Sequence, residues 1–398
     1  MMKVKDGIIR ILLTMVLALL IGAILIVAIG EDPILAYKAL LKGAFVGKLS
    51  LGTTLASFTP LILTSTAFVV AATAGAFNVG VEGEVFLGGL VAAYIGYKWT
   101  FLPAPLLYIA CFAGAMLVTA CWAFIPAYLK AYYNVSEVCS TILMNSVALY
   151  ITSYFVSGPM SAGSANPQSP PVAVRLHQFM RPSSANVGLF LAIAIVLGII
   201  WMLYKTSLGY RFRLVGTNPR FADYSGIDSK KVFIQAMMLS GMLGGIAGTI
   251  EVLGVYGYFL NNFATGLGSN GMLAALIVKS NVVATPFMAF FLAVLKSGAM
   301  SMQQATGVPK GLIDTITAVF IIIATMETLF DFITKRKERK AEMAFSSPSA
   351  LHFAGERGTT RFPPSRYAAL ERFSVRRTRM VHGAPHTVMV PPSAIVAL

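Results

Sequence analysis

The chain has 398 residues, of which 57% are hydrophobic and only 12% are charged, and its mean hydropathy is +0.74. Soluble domains carry about 25% charged residues, so this composition argues against a water-soluble enzyme and indicates a protein that crosses a membrane several times. The net charge is +15. More than half of it lies in residues 335–398, and much of the remainder lies in loops between apolar segments, so no nucleic-acid partner is expected.

Apolar runs of about twenty residues predict transmembrane helices, because the strands of a membrane β-barrel are shorter and alternate in polarity. The first predicted span covers about residues 8–29. A cleaved signal peptide is the alternative, although the run is longer than the apolar core of such a peptide. Further spans are predicted near residues 51–73, 82–98, 105–127, 137–157, 187–204, 231–256, 270–288, 290–305 and 310–333. The predicted fold is all-α, with about ten transmembrane helices.

The positions of lysine and arginine predict the topology, because these residues stay on the cytoplasmic side of a membrane. An even number of spans places both basic termini in the cytoplasm. It also places the basic loop at 204–231 inside and the Pro- and Ser-rich segment at 158–186 outside. The predicted outer loop at 30–50 conflicts mildly with the rule, since it contains Lys38, Lys42 and Lys48.

The composition changes near residue 335. Residues 1–334 are predicted to form the membrane domain, and residues 335–398 a basic, disordered tail rich in arginine and proline. The tail has two interpretations, a cytoplasmic segment that touches anionic lipid or appended sequence without a role.

No sequence motif for enzyme chemistry is present. The phosphate-binding pattern GxxxxGK[ST] and the patterns HExxH and GxSxG do not occur. Cys111, Cys121 and Cys139 lie in apolar runs without metal-ligand spacing, which predicts buried hydrophobic side chains. We therefore expect no catalytic residue, no metal and no cofactor in this chain.

The polar interruption at 204–231 predicts a short cytoplasmic helix. Asn218 followed by Pro219 is typical of a helix N-terminus, and Gly226 is a natural end for a helix over Arg220–Tyr224. A short helix flanked by arginine and lysine is suited to docking on a soluble partner. An ordinary positively charged cytoplasmic loop is the alternative.

Several polar side chains lie in the predicted spans. A carboxylate near the middle of a span costs about 2.5–3.5 kcal/mol on insertion scales, so Glu82, Glu137 and Glu251 are expected to face the bundle interior or a water-filled path. Thr141 and Asn145 follow Glu137 on one helical face. Hydrogen bonding between helices would explain the same polar stripe.

Glycines mark two breaks in the apolar pattern, about half the chain apart. Glu82 lies in the first break, at 80–83, and Asn270 in the second, at 266–271. Interrupted spans in corresponding halves favour an internal pseudo-repeat with a site at the membrane midplane. Another set of glycines has overlapping GxxxG spacing and predicts close helix packing: Gly241, Gly244, Gly245 and Gly248.

The segment VGTNPRFADYSGIDSKKV, which begins at Val215, resembles the coupling segment of ABC importer permeases that handle branched-chain amino acids, ribose-type sugars and nucleosides. Four other segments agree with this family in its order along the chain. They are FNVGVEGE at 77–84, NVSEVCSTILMN at 134–145, GGIAGTIEVLG at 244–254 and QQATGVP at 303–309. The combination is most similar to the nucleoside branch, from which Asn270-Gly271 and Ser136-Glu137 depart.

The resemblance implies the permease subunit of an ATP-driven importer in a bacterial inner membrane. Its implied partners are an ABC ATPase, a second permease chain, identical or homologous, and an extracytoplasmic substrate-binding lipoprotein. The predicted ATPase-coupling residues are Gly216, Asn218, Pro219, Arg220, Ala222 and Gly226. The predicted pathway residues are Asn78, Glu82, Glu137, Thr141, Asn145, Glu251 and Asn270. A sugar or branched-chain amino acid permease, and a channel or ion-coupled carrier that works alone, are the alternatives to nucleoside import.

Overall fold

A computed structural model of the chain describes residues 19–307, together with Gly311, Thr315 and Ala318. These residues belong to one compact unit, Met1–Glu327, and the second unit, Thr328–Leu398, lies outside the described residues. The basic N-terminus, most of the predicted last span and the predicted tail also lie outside them.

Helices separated by short breaks make up most of the described chain. They are α1 (Leu19–Ile29), α2 (Pro33–Phe45), α3 (Lys48–Thr73), α4 (Val81–Lys98), α5 (Ala104–Tyr133), α6 (Glu137–Ser157), α7 (Gly188–Lys205), α8 (Ser207–Thr217), α9 (Pro219–Tyr224), α10 (Ser229–Ile250), α11 (Leu267–Ile277) and α12 (Thr285–Thr306). A π-helical turn, Glu251–Tyr256, continues α10. The described residues contain two isolated β-bridges and no strand, so the all-α class is confirmed.

Six helices of the described chain are long and apolar enough to cross a membrane: α3, α5, α6, α7, α10 with its π-helical turn, and α12. Together, α1 and α2 form a seventh candidate that is bent by 118°. The protein is therefore a multi-pass membrane protein, whereas the predicted count of about ten spans is not confirmed.

The region 30–50, predicted as a loop, contains α2. The carboxylate of Asp32 caps this helix by accepting the Ile34 N–H at 2.8 Å, and Pro33 is the first helical residue. Apolar residues between the lysines then pack against α12. The prediction of a loop here relied on the lysines. It gave no weight to Asp32-Pro33, which is a typical helix start.

The predicted span at 270–288 is interrupted. Lys279 and Ser280 both adopt left-handed backbone conformations with φ of 55°. The side chain of Asn281 then accepts the N–H groups of Val283 and Ala284 at 3.0 and 3.3 Å, and α12 begins at the next residue. The apolar run is thus divided into an 11-residue helix and a 22-residue helix, because turn residues lie inside an otherwise apolar window.

The helix α10 is the central element and packs against α3, α4 and α5. Gly241 and Gly245 lie against Thr119 of α5, while Gly248 lies against the α4 backbone at Val85. At each of these glycines, neighbouring atoms fill the space that a Cβ would need. The predicted close packing of the GxxxG glycines is therefore confirmed.

Gly248→Ala is expected to destabilise the protein by about 1–3 kcal/mol, the usual cost of overpacking. The added Cβ would overlap the carbonyl oxygen of Val85, so α4 and α10 would have to separate. Thermal unfolding of the purified protein measures the effect. Gly198→Ala is the control, since nothing lies within 4 Å of a Cβ at that position. Equal unfolding midpoints for the two variants would contradict the packing.

Residues 158–187 fold over the end of α10 and satisfy backbone groups there. The last carbonyl groups of a helix lack partners within the helix. Arg175 donates to the carbonyl of Val255 at 3.2 Å, and Gln178 donates to that of Gly254 at 3.3 Å. The Pro- and Ser-rich segment is consequently a fixed part of the fold, and its predicted position outside the membrane stays a prediction.

The cysteines differ in burial. Cys111 is buried, but Cys121 on α5 and Cys139 on α6 are exposed, so the expectation of buried cysteines is wrong for two of the three. In the apolar stretches of α5 and α6, fewer than half of the residues are buried inside the protein. In a membrane protein lipid covers such faces, so an apolar side chain need not be buried in protein.

Candidate coupling and translocation sites

Buried polar side chains hold the break between α3 and α4. Asn78 is fully buried, and its Oδ1 accepts the N–H of Gly80 at 2.9 Å. Its Nδ2 donates to Oε1 of Glu84 and to Oγ of Ser240 on α10, both at 2.9 Å. Asn78 thus ties the break to the central helix.

The same break is held from the other side by α6. Asn145 accepts the N–H of Gly83 and donates to the carbonyl of Val79, both at 2.8 Å. Thr141, one turn earlier, is buried and donates to the carbonyl of Glu137 in its own helix at 2.7 Å. These are the contacts that the helix-to-helix interpretation of the polar stripe expects, and a pathway role for Asn145 and Thr141 stays a prediction.

Asn145→Ala is expected to destabilise the start of α4, because it leaves the Gly83 N–H and the Val79 carbonyl without their partner. Each unpaired buried group costs about 1–3 kcal/mol. Ser146→Ala, at the exposed next position, is the control and should change the thermal unfolding midpoint less. A larger loss of stability in Ser146→Ala than in Asn145→Ala would contradict this role of the Asn145 side chain.

Glu137 lies apart from these contacts. It is the first residue of α6, where the predicted span at 137–157 also begins, and the Ser136 side chain caps that helix. Its carboxylate forms an ion pair with Lys130 of α5 at 3.0 Å. A carboxylate in the first turn also interacts favourably with the helix dipole. Glu137 therefore lies at the end of its helix, and its pathway role stays a prediction.

Glu82 joins the two glycine-rich breaks. Its Oε1 accepts the N–H of Gly266 at 2.9 Å, and its Oε2 accepts the Ser269 N–H at 3.3 Å and the Ser269 hydroxyl at 2.7 Å. The first N–H groups of a helix have no internal partner, so this carboxylate caps α11 across 184 residues of sequence. A Cβ on Gly268 would overlap the Glu82 backbone. Among the described residues, the side chain of Asn270 has no hydrogen-bond partner.

The meeting point of these breaks lies deep in the bundle. Ser240 is about eleven residues into α10, which is about 16 Å at 1.5 Å per residue. This depth is about half of a hydrocarbon layer roughly 30 Å thick. The helix ends at Asn78, Glu82 and Gly266 therefore lie far from both ends of the bundle, where the pseudo-repeat predicts a site.

Glu251 is buried at the first position of the π-helical turn, with 7% of its surface exposed. Turns of this type are frequent at functional sites. Lys296 of α12 acts on Glu251 electrostatically. Lys296 was not among the predicted site residues, although a lysine inside the predicted span at 290–305 was a visible signal.

The predicted coupling helix is present as α9. Asn218 caps it by accepting the Phe221 N–H at 3.1 Å, Pro219 is its first residue, and Gly226 follows with φ of 79°. Asp223 accepts the N–H and the hydroxyl of Ser229 at 2.9 and 3.0 Å, which ties α9 to the start of α10. The local structure predicted at Asn218–Gly226 is therefore confirmed.

One side of α9 is anchored and the other is free. Ala222 is fully buried, whereas Arg220, Phe221 and Tyr224 are exposed, Tyr224 by 92%. Next to this helix, Asp228 caps α10, and the backbone N–H of Lys231 that it accepts lowers the pKa of its carboxyl. The exposed side of α9 combines basic and aromatic side chains, a composition common at protein interfaces.

Gly216 connects this segment to the membrane helices. It lies against the end of α3, where a Cβ would overlap the carbonyl oxygen of Thr73 and lie 3.0 Å from the Gly75 nitrogen. Gly75 has a positive φ of 78°, and its own Cβ position lies 3.4 Å from Gly216. A displacement of α8 and α9 would therefore press directly on the break that Asn78 and Asn145 hold.

The described residues contain no group of three or more His, Cys, Asp or Glu side chains placed to hold a metal ion. The Glu84 carboxylate accepts an amide N–H of Asn78, and the Glu82 carboxylate accepts a backbone N–H and a hydroxyl. The chemistry of the site is thus hydrogen bonding at broken helix ends.

Comparison with known proteins identifies the family. Residues 50–326 match the model of the branched-chain amino acid transport system permease component. The chain is 31% identical to the glucose ABC transporter permease protein TsgB13 of Haloferax volcanii, over 80% of this chain and 87% of that protein. It is 30% identical to the guanosine ABC transporter permease protein NupP of Bacillus subtilis, over 83% and 96%.

A further relative is the nucleoside ABC transporter permease protein NupB of Lactococcus lactis. The identity is 28%, over 84% of this chain and 95% of that protein. The family match covers more than half of the chain and includes the breaks at Asn78 and Gly266 and the short helix α9. The chain therefore belongs to the ABC transporter permeases of the branched-chain amino acid transport family.

Proposed function

We propose that this permease forms the translocation pathway of an ATP-driven importer for nucleosides in a bacterial inner membrane. The observation that carries the proposal is the short capped helix α9 with its exposed Arg220, Phe221 and Tyr224, joined through Gly216 to the broken helices. Two relatives are named for guanosine and nucleoside transport, and this chain aligns with 96% and 95% of their lengths. Their names support a nucleoside as the substrate.

An ATPase subunit supplies the energy by binding the exposed side of α9. Nucleotide-driven closure of the ATPase displaces α8 and α9 and presses Gly216 against the end of α3. The break at 74–80 then shifts relative to α10, which exchanges the outward-open and inward-open states. In this proposal ATP is bound only by the partner, and this chain needs no cofactor of its own.

A second permease chain completes the pathway, and a substrate-binding lipoprotein delivers the solute from outside. Both termini of this chain are cytoplasmic, as the distribution of lysine and arginine predicts. In this proposal the basic tail at 335–398 touches anionic lipid.

A sugar is the second candidate substrate, because a relative at 31% identity is named a glucose permease. Uptake of labelled guanosine, glucose and leucine into vesicles that contain the assembled importer separates these substrates. We expect uptake of guanosine only, and only with ATP and an intact ATPase. Uptake that persists without the ATPase and follows an ion gradient would contradict this proposal and indicate a carrier that works alone.

Combined Asn218→Ala and Arg220→Glu substitutions are expected to uncouple ATP hydrolysis from transport. The first removes the cap of α9, which costs about 1 kcal/mol, and the second reverses a charge on its exposed side. Membrane insertion should persist, since both residues lie outside the spans. The measurement is the ratio of guanosine imported to ATP hydrolysed, and a wild-type ratio would contradict the coupling role.

A further inference from the structure

One face of α12, a membrane-crossing helix, is exposed and contains a lysine in the middle of the helix. Lys296 is exposed, and Met300 and Gln303, four and seven residues later, are exposed on the same face. The adjacent residues Leu295 and Ser297 are buried. The helix is therefore packed into the bundle by its other sides, while the face that contains Lys296 is exposed.

The depth of Lys296 argues against contact with lipid. At 1.5 Å per residue, it lies about 16 Å from Thr285 and about 15 Å from Thr306 along the helix axis. That is the centre of a hydrocarbon layer roughly 30 Å thick, too deep for a lysine side chain to reach either interface easily. Charged side chains at this depth face a water-filled cavity or the bundle interior.

Lys296 interacts electrostatically with a carboxylate of the bundle. Glu251, on the π-helical turn, is its electrostatic partner, and Tyr256 at the end of the same turn also interacts with Glu251. The Tyr256 ring lies 5.7 Å from that of Phe263. The Lys296 ammonium and the Glu251 carboxylate carry opposite charges and together supply both hydrogen-bond donors and acceptors.

We infer that Lys296 lines the translocation path and donates hydrogen bonds to hydroxyl or carbonyl oxygens of the passing solute. Glu251 balances its charge, so the path suits an uncharged, oxygen-rich solute better than an anion, which an unbalanced ammonium would hold strongly. This inference rests on the proposed function, since a nucleoside is such a solute. It adds a residue for contact with the solute that was not among the predicted site residues.

Labelling of an introduced cysteine tests whether Lys296 faces water. Lys296→Cys is placed in a chain whose three cysteines are replaced by alanine, and the assembled importer in vesicles is treated with a charged, membrane-impermeant thiol reagent. Such reagents react with hydrated thiolates, so we expect labelling that saturating guanosine slows. Leu197→Cys, exposed in the middle of α7, is the control at matched depth and should stay unlabelled.

Three outcomes would overturn the inference: no labelling of Lys296→Cys, equal labelling of Leu197→Cys, and labelling that guanosine does not change. Guanosine uptake by the wild-type importer is measured first. If the wild type imports a different solute, the nucleoside assignment fails by itself, and the protection experiment is repeated with that solute.

Transport by charge variants is the second measurement. Loss of a hydrogen bond from a charged donor weakens an interaction by about tenfold. Lys296→Gln should therefore lower the maximal uptake rate by about that factor, with ATP hydrolysis retained. Lys296→Arg keeps the charge and should lower it less. A wild-type rate in Lys296→Gln, at equal amounts of protein in the membrane, would overturn the contact.

Discussion

Gly216→Trp is expected to abolish solute uptake while the chain still inserts into the membrane and the partner ATPase still hydrolyses ATP. Gly216 lies outside the spans, so insertion does not depend on it. Even a methyl group at this position would overlap the Thr73 carbonyl oxygen. A tryptophan must therefore separate α8 from the end of α3 and remove the contact that connects α9 to the break at 74–80.

The measurement is the ratio of guanosine uptake to ATP hydrolysis in vesicles with matched amounts of the assembled importer. Gly216→Ala should reduce this ratio by a smaller factor, because a single methyl group requires a smaller separation. Gly198→Trp is the control, since α7 leaves open space around Gly198, and it should keep the wild-type ratio. If Gly216→Trp also keeps that ratio, the contact with α3 does not transmit motion.

The short helix α9 could be predicted from the sequence because its signals are local. A side-chain cap at Asn218, a proline at the first helical position and a glycine with positive φ at 226 each act within a few residues. The same is true of the GxxxG glycines of α10, whose spacing alone indicates close packing. Local chemistry was sufficient at both places.

The contact between Glu82 and α11 could not be predicted in this way. The residues that it joins are 184 to 187 positions apart in the chain. Glycines in both breaks indicated that the two segments correspond, but no local signal specifies which carboxylate caps which helix. Only the packing of α4 against α11 brings them together.

Hydropathy also predicted wrong helix boundaries where polar turn residues lie between apolar ones. Residues 278–284 fold into turns, although the sequence around them reads as one apolar run. Conversely, α2 was missed because lysines interrupt an otherwise apolar helix. Both errors arise because a hydropathy window averages over residues, whereas a helix end is set by one or two side chains such as Asn281 and Asp32.

Glu82→Ala is expected to remove most uptake and to loosen the start of α11. The substitution leaves the N–H groups of Gly266 and Ser269 without their carboxylate acceptor near the centre of the bundle. Hydrogen bonds to charged groups contribute about 1.5–3 kcal/mol each. Glu82→Gln keeps one acceptor oxygen, so it should keep part of the uptake.

Uptake at matched membrane levels and amide hydrogen exchange over residues 264–272 measure the two effects. Exchange should be fastest in Glu82→Ala, intermediate in Glu82→Gln and slowest in the wild type, because each step removes acceptors from the same helix end. Glu31→Ala, in the turn between α1 and α2, is the control and should change neither measurement. Faster exchange with unchanged uptake would show that the capped start of α11 supports the fold without taking part in transport, since the loss of the cap would then have no effect on the pathway.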